Sequence, residues 1–193
     1  MPEWKPGDKW SLHHLYRRFL AGLGDAVVTK LPDEAPAKPL DLVCRQPLPR
    51  HVRLYVFNCT DHPAERKAGD YRIQLRLPGQ RPRERGTLDM SPGCLVLLAG
   101  YVAAFDVFVM WDAVAHQDFP YSKGVQVAAQ TVHDAAIYGC SEQRRDVRRG
   151  GSYPEWVVAV QTDQLVTGIL RRKELTRRSL LDGLASSKVE DRK

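Results

Sequence analysis

A strict alternation of apolar and polar residues at positions 69–77 constrains the fold more than any other feature of the chain. Side chains two positions apart lie on the same face of a strand. One face of such a strand is therefore apolar, with the residues Tyr71, Ile73, Leu75 and Leu77. The other face carries Arg72, Gln74 and Arg76, two cations with an amide between them. The pattern predicts a half-buried strand whose polar face binds an anion, or else an edge strand whose charges prevent aggregation.

Arginine is concentrated around this strand. Residues 66–85 contain only the acids Asp70 and Glu84 against seven cations, namely Arg66, Lys67, Arg72, Arg76, Arg81, Arg83 and Arg85. The net charge of +6 is moderate, so the distribution of charge matters more than its total. Because arginine makes planar, two-pronged contacts with phosphates and guanine edges, these clusters favour nucleic acid as the partner.

Four further short apolar runs, bounded by Gly, Pro, Asp or Asn, have the composition of strands. They cover residues 52–57, 94–98, 107–111 and 156–160. The sequence therefore predicts an α+β fold with a core of mainly antiparallel sheet, or a small barrel, over about residues 50–162.

Apolar residues at helical spacing predict helices that flank this core. The first spans about residues 11–23, with Ser11 as its N-cap and Gly24 as its stop. A second occupies at least part of residues 126–138, ends at Gly139 and packs on the sheet.

Leucines at helical spacing over residues 165–184 predict C-terminal helix. No second core is evident, and 43% hydrophobic residues suffice for one large core. We therefore expect a single domain at residues 1–185, followed by a polar tail or linker at residues 186–193.

The four cysteines, Cys44, Cys59, Cys94 and Cys140, are widely spaced and form no Cys-x-x-Cys pair. This spacing is typical of free thiols in a reducing compartment. The sequence also lacks an apolar run of membrane-spanning length and a signal-peptide apolar region at its start. These features predict a cytoplasmic protein with no membrane partner, and no metal or cofactor motif is present.

A loop near the middle of the chain places Phe119, Pro120 and Tyr121 in succession. Proline fixes its own backbone and the aromatic rings are stiff, so the three residues can form a rigid apolar wall. Ser122 and Lys123 add a hydroxyl group and a cation beside it. The alternative is a surface turn whose aromatic residues pack into the core.

A second basic cluster lies at residues 141–151 and contains Arg144, Arg145, Arg148 and Arg149. Two arginine clusters on either side of an apolar loop suit contact with a phosphate backbone and some reading of base edges. A third basic run, at residues 171–178, can equally be the solvent face of the C-terminal helix.

An enzymatic alternative rests on Asp41, Glu65 and Lys67. This order resembles a PD-(D/E)xK nuclease, in which two carboxylates hold Mg²⁺ and the lysine helps to activate water. Carboxylates spaced in this way before a lysine are also frequent by chance.

Several segments together resemble the sulfur-binding domain of phosphorothioate-dependent type IV restriction endonucleases. They are Tyr71-Arg72-x-Gln74, Gly100-Tyr101, Asp106-Val107-Phe108-Val109-x-Trp111-Asp112, Phe119-Pro120-Tyr121-Ser122 and Val125-Gln126-Val127. In that family the domain recognises DNA with sulfur in place of one non-bridging backbone oxygen, and an HNH nuclease domain cuts it. The resemblance covers about residues 50–162 and implies such a nuclease domain in the full-length protein.

The resemblance also implies site residues. It implies a sulfur pocket formed by Tyr71, Arg72, Phe119, Pro120 and Lys123, where Lys123 replaces a small residue of the family. It implies further DNA contacts from Gln74, Ser122, Lys123, Arg144 and Arg145. An apolar wall favours sulfur because sulfur is less strongly hydrated than oxygen, and the arginines supply affinity.

We therefore interpret the chain as a non-catalytic domain that binds double-stranded DNA carrying phosphorothioate linkages. Two alternatives remain open at this point. One is a reader of another DNA modification, such as methylcytosine, that holds a flipped base in an aromatic pocket. The other is the Mg²⁺-dependent nuclease.

Overall fold

The computed structural model describes residues 9–31, 37–61, 70–148 and 152–190. In this part of the chain, three α-helices flank three β-sheets. The helices are α1 (Leu12–Leu23), α2 (Ala129–Tyr138) and α3 (Leu165–Glu190). The strands are β1 (Leu40–Val43), β2 (His51–Asn58), β3 (Thr60–Asp61), β4 (Tyr71–Leu75), β5 (Gly86–Thr87), β6 (Leu95–Val102), β7 (Val107–Trp111), β8 (Asp118–Phe119), β9 (Lys123–Val127), β10 (Cys140–Arg148) and β11 (Ser152–Gln161).

The main sheet has six strands in the order β1-β2-β6-β7-β11-β10. Neighbouring strands in it are antiparallel, except that β2 and β6 run parallel. A small sheet, β3-β4-β9, and the pair β5-β8 complete the strands of the described residues. The predicted α+β fold with a mainly antiparallel sheet is confirmed. The barrel form of that prediction is wrong for the described strands, because β1 and β10 are open edges.

Two hydrophobic layers lie on opposite faces of the main sheet. On one side α1 and α3 cover the sheet through residues such as Tyr16, Phe19 and Ile169. On the other side the small sheet and α2 cover it through residues such as Ile73 and Val132. Strand β7 is buried along its whole length because both of its faces are covered.

Gly100 on β6 sets how closely the small sheet approaches the main sheet. A Cβ atom at this position would lie 2.5 Å from Cγ2 of Ile73 on β4. The absence of a side chain therefore lets the two sheets pack in direct contact, which fixes the position of β4 and of its polar face.

The predicted caps of the first helix are confirmed. The Ser11 hydroxyl accepts a hydrogen bond from the backbone N–H of His14, and Gly24 ends the helix with a φ of 51°. The predicted helix at residues 126–138 begins only at Ala129, because Val125 and Val127 belong to β9.

Helix α3 continues to Glu190. The backbone at residues 186–190, part of the predicted tail or linker, is therefore helical. Residues 191–193 lie outside the described residues. Among the helices of the described residues, none is long and apolar enough to cross a membrane.

Candidate nucleic-acid interface

The predicted strand is confirmed as β4 over Tyr71–Leu75, with Ile73 and Leu75 buried and Gln74 exposed, whereas Arg76 and Leu77 lie just beyond its end. In the antiparallel pairing of β4 with β9, Arg72 lies opposite Gln126 and Gln74 lies opposite Gly124. Residues directly opposite one another share a face of the sheet. Arg72, Gln74 and Gln126 therefore share one polar face of the small sheet.

The turn between β8 and β9 is joined to this polar face by Gln74. The Gln74 side-chain amide donates to the Ser122 hydroxyl (2.6 Å) and to the Ser122 carbonyl oxygen (3.2 Å). Next to it, the guanidinium of Arg76 lies 4.9 Å from the centre of the Tyr121 ring. We refer to Arg72, Gln74, Arg76, Tyr121 and Ser122 as the β4 surface.

Lys123, a predicted base contact, does not lie on the polar face that Arg72 and Gln74 share. It is opposite Leu75 and shares the core-facing side of the small sheet. Its ammonium donates to Nδ1 of His116 (2.9 Å), and Nε2 of His116 lies 2.9 Å from Oε1 of Glu155. Because ammonium is only a donor, Nδ1 accepts and the ring proton lies on Nε2, toward the carboxylate.

Arg145, a predicted phosphate contact, also binds Glu155. It is the cross-strand partner of Glu155, and its Nε donates to Oε2 of Glu155 (2.7 Å). Its Nη1 donates to the backbone carbonyl oxygen of Gln126 (2.5 Å). Lys123, His116, Glu155 and Arg145 therefore form one continuous chain of hydrogen bonds, which we call the Glu155 network.

Glu155 is fully buried, and burial alone raises the pKa of its carboxyl group. Hydrogen bonds from His116 and Arg145, together with the positive charge of Arg145, outweigh that effect and hold the pKa of Glu155 below its ordinary value. The carboxylate is therefore ionised in the folded protein. It positions Arg145 against β9 and, through His116, Lys123.

Comparison with models of known protein families gives a match. The family model described as methylase-associated X1 (MTaX1) matches residues 50–169, more than half of the chain. The chain belongs to the methylase-associated X1 family. This membership supports a module associated with DNA restriction and modification. No curated protein and no solved structure matches the chain.

The methylase-associated X1 match contains the whole β4 surface and the whole Glu155 network. Sequence reasoning did not find His116 and Glu155, which are 39 positions apart. A weak signal was present, since Glu155 is an acid beside the buried apolar run at residues 156–160. Acids in such positions are rarely buried unless they are paired.

Phe119, the predicted wall of the sulfur pocket, is 0% exposed. Its ring packs over Gly86 on β5, where an added Cβ atom would lie 2.4 Å from Cζ of Phe119. The aromatic side chain therefore lies in the core, as the structural alternative for this loop predicted. Pro120, the next residue, is exposed.

Tyr71 and Arg144 also lie apart from the polar face. Tyr71 is half-buried on the apolar side of β4, and its ring makes edge contacts with Phe105 and His133. Arg144 is exposed on β10. The site residues predicted from the sequence therefore do not form one site. Some belong to the β4 surface and some to the Glu155 network, whereas Phe119, Pro120, Tyr71 and Arg144 belong to neither.

Of the three residues of the nuclease alternative, the structure describes Asp41. Asp41 on β1 accepts two hydrogen bonds from Arg53 (2.7 and 3.0 Å). The same guanidinium also donates to the carboxylate of Asp89. Glu65 and Lys67 lie outside the described residues, as do Arg66 and Arg149 of the basic clusters. No group of three or more metal-ligating side chains was found among the residues that the structure describes.

Proposed function

We propose that this chain is the DNA-recognition module of a restriction-modification system and that it binds duplex DNA carrying phosphorothioate linkages. The observation that carries the proposal is the β4 surface. There the Gln74–Ser122 hydrogen bonds hold an amide and a hydroxyl group between Arg72 and Arg76. Arginine and hydrogen-bonding side chains on one exposed face suit the phosphate backbone of DNA.

Recognition of sulfur requires apolar surface beside those cations. Because Phe119 is buried, the apolar groups that this loop leaves at least partly exposed are Pro120 and the Tyr121 ring, and the Tyr121 ring lies next to Arg76. Sulfur loses less hydration than oxygen on contact with such groups. Selectivity would therefore come from Pro120 and Tyr121, and affinity from Arg72 and Arg76.

The experiment compares two duplexes of identical sequence, one with a single phosphorothioate linkage, by fluorescence anisotropy at several salt concentrations. We expect the phosphorothioate duplex to bind more tightly by orders of magnitude. Equal affinity for the two duplexes would exclude sulfur recognition and leave DNA binding intact. Absence of binding to either duplex at low salt would exclude the whole proposal.

We further propose that this chain recognises DNA without cutting it, and that a nuclease partner or domain performs cleavage. Incubation of both duplexes with Mg²⁺ is expected to leave them intact. A cleavage ladder that disappears in the variant Asp41→Ala would instead support the nuclease.

A further inference from the structure

Gln74 uses both hydrogens of its side-chain amide on Ser122. Its Nε2 donates to the Ser122 hydroxyl (2.6 Å) and to the Ser122 carbonyl oxygen (3.2 Å). A carbonyl oxygen can only accept, so the amide nitrogen, and not the amide oxygen, faces Ser122. An amide nitrogen carries two hydrogens, and both are therefore engaged within the β4 surface.

The two groups that this pairing leaves for a ligand are an acceptor and a donor. Oε1 of Gln74 can only accept, and in the described part of the chain it is hydrogen-bonded to no donor. The Ser122 hydroxyl accepts from Nε2, so its own hydrogen is left to donate. Because the same amide holds both groups, they lie side by side at the exposed side chain of Gln74.

The backbone of Ser122 helps to fix this arrangement. Ser122 has a φ of 59°, in the left-handed region that residues other than glycine rarely adopt. Such a conformation persists only where surrounding contacts determine it, and the two hydrogen bonds from Gln74 are such contacts. The hydroxyl oxygen is therefore positioned before a ligand binds.

The surface beside this pair is open to a base edge. In the β4–β9 pairing Gln74 lies opposite Gly124, which is exposed and where an added Cβ atom would have no neighbour within 4 Å. Arg76, two positions after Gln74, is also exposed and suits a phosphate. A duplex held by Arg76 can therefore bring a base edge to Gln74 and Ser122.

We infer that Gln74 and Ser122 read an adenine in the major groove, with Oε1 of Gln74 accepting from N6 and the Ser122 hydroxyl donating to N7. Adenine is the base whose own major-groove edge presents a donor beside an acceptor. Guanine presents two acceptors there, cytosine a donor and thymine an acceptor. Each of these bases by itself would leave one group of the pair without a partner, which weakens binding.

The same order of donor and acceptor also occurs across a G·C pair, from cytosine N4 to guanine O6. Those two atoms belong to different bases that move relative to each other, whereas N6 and N7 belong to one rigid ring system. A preorganised pair of protein groups therefore suits adenine better.

This inference rests on the proposed binding of duplex DNA and does not depend on recognition of sulfur. It adds a base preference to a surface that otherwise contacts the backbone. Phosphate contacts position a protein on DNA, and base contacts of this kind supply sequence specificity.

The test is fluorescence anisotropy of the full chain with one duplex of mixed sequence, prepared with altered bases. In two versions every adenine is replaced, either by 7-deazaadenine, which lacks N7, or by N6-methyladenine, whose methyl group replaces the hydrogen that faces the major groove. Two control versions carry 7-deazaguanine or N4-methylcytosine. Each version is made with ordinary linkages and with phosphorothioates at every linkage of its central segment, so that no single linkage is presupposed.

In the linkage form that binds more tightly, 7-deazaadenine and N6-methyladenine should each weaken binding by about tenfold, because each removes one hydrogen bond and leaves its protein partner unpaired. The control versions should bind like the unaltered duplex. Equal binding of all versions, or a loss with the control bases as large as with the altered adenines, would overturn the inference. Absence of binding to every version at low salt would overturn the proposed binding of DNA itself.

Two variants assign the contacts to their residues. Ser122→Gly removes the hydroxyl and tolerates the positive φ, so it should bind the adenine and 7-deazaadenine duplexes equally and still be weakened by N6-methyladenine. Gln74→Leu removes the acceptor and the contacts that hold Ser122, so it should be insensitive to both altered adenines.

A merely structural role would lower the affinity for every duplex by the same factor and leave the ratios between duplexes unchanged. A Ser122→Gly variant that still distinguishes adenine from 7-deazaadenine would therefore overturn the inference. Circular dichroism checks folding, and if Gln74→Leu is unfolded, Ser122→Gly alone decides.

Discussion

His116 and Glu155 form a hydrogen bond of 2.9 Å between two side chains that are 1% and 0% exposed. The same carboxylate accepts from Arg145, while the other ring nitrogen of His116 accepts from Lys123. A single buried carboxylate therefore orients two cations that sequence reasoning assigned to DNA. Their first physical role in this structure is to compensate that charge.

Replacement of Glu155 by glutamine should destabilise the protein by about 2–4 kcal/mol, because it leaves the partly buried Arg145 without its counter-charge. Glu142→Gln is the matched control on the same hairpin. Glu142 pairs with Arg171 nearer the surface, and its loss should cost about 1 kcal/mol or less. Urea denaturation measures both, and equal losses would contradict a special role for Glu155.

The contribution of Glu155 to stability should disappear in acid. Its pKa is lower in the folded protein than in the unfolded chain, so its stabilising contribution is complete at neutral pH. We expect the stability difference between wild type and Glu155→Gln to shrink as the pH falls below about 5. A difference that is independent of pH from 7 to 3 would show that the carboxylate charge is not the cause.

Arg76→Gln should weaken duplex binding and lower the slope of log K against log salt by about one unit, because one phosphate contact is lost. Arg17→Gln on α1, which covers the opposite side of the main sheet, makes the same charge change as a control. Anisotropy titrations at several salt concentrations measure the slopes. An unchanged slope for Arg76→Gln would remove that residue from the interface.

Phe119→Ala should destabilise the protein by about 3–5 kcal/mol, because it removes a fully buried ring from the core. Pro120→Ser is its matched neighbour at the surface and should change stability little. If Pro120 contacts sulfur, this variant should reduce the preference for phosphorothioate DNA and leave binding to ordinary DNA nearly intact. Thermal denaturation and the two duplexes separate these effects.

Gly100→Ala should destabilise the protein by about 1–3 kcal/mol, because the new methyl group would overlap Ile73 between the two sheets. Gly124→Ala is the control, since a Cβ atom there has no neighbour within 4 Å. Denaturation midpoints compare the two variants. Equal stability of Gly100→Ala and wild type would mean that β4 does not depend on this close approach.

The sequence alone determined the local elements of this protein. Alternation at residues 71–75 specified β4 and its polar face, because side-chain direction in a strand depends only on position along the chain. Spacing and caps specified α1 in the same way, through Ser11 and Gly24. These signals arise between near neighbours, so no partner strand was needed to read them.

Only the tertiary structure decided which of the candidate residues face a ligand. The Phe119 ring lies in the core because Gly86, 33 positions earlier, leaves space for it. Lys123 does not lie on the polar face because β9 pairs with β4 in a register that places it opposite Leu75. The buried carboxylate of Glu155 requires hydrogen-bond donors and a counter-charge, and His116 and Arg145 supply them from separate elements. Long-range pairing sets such contacts, and no local pattern encodes it.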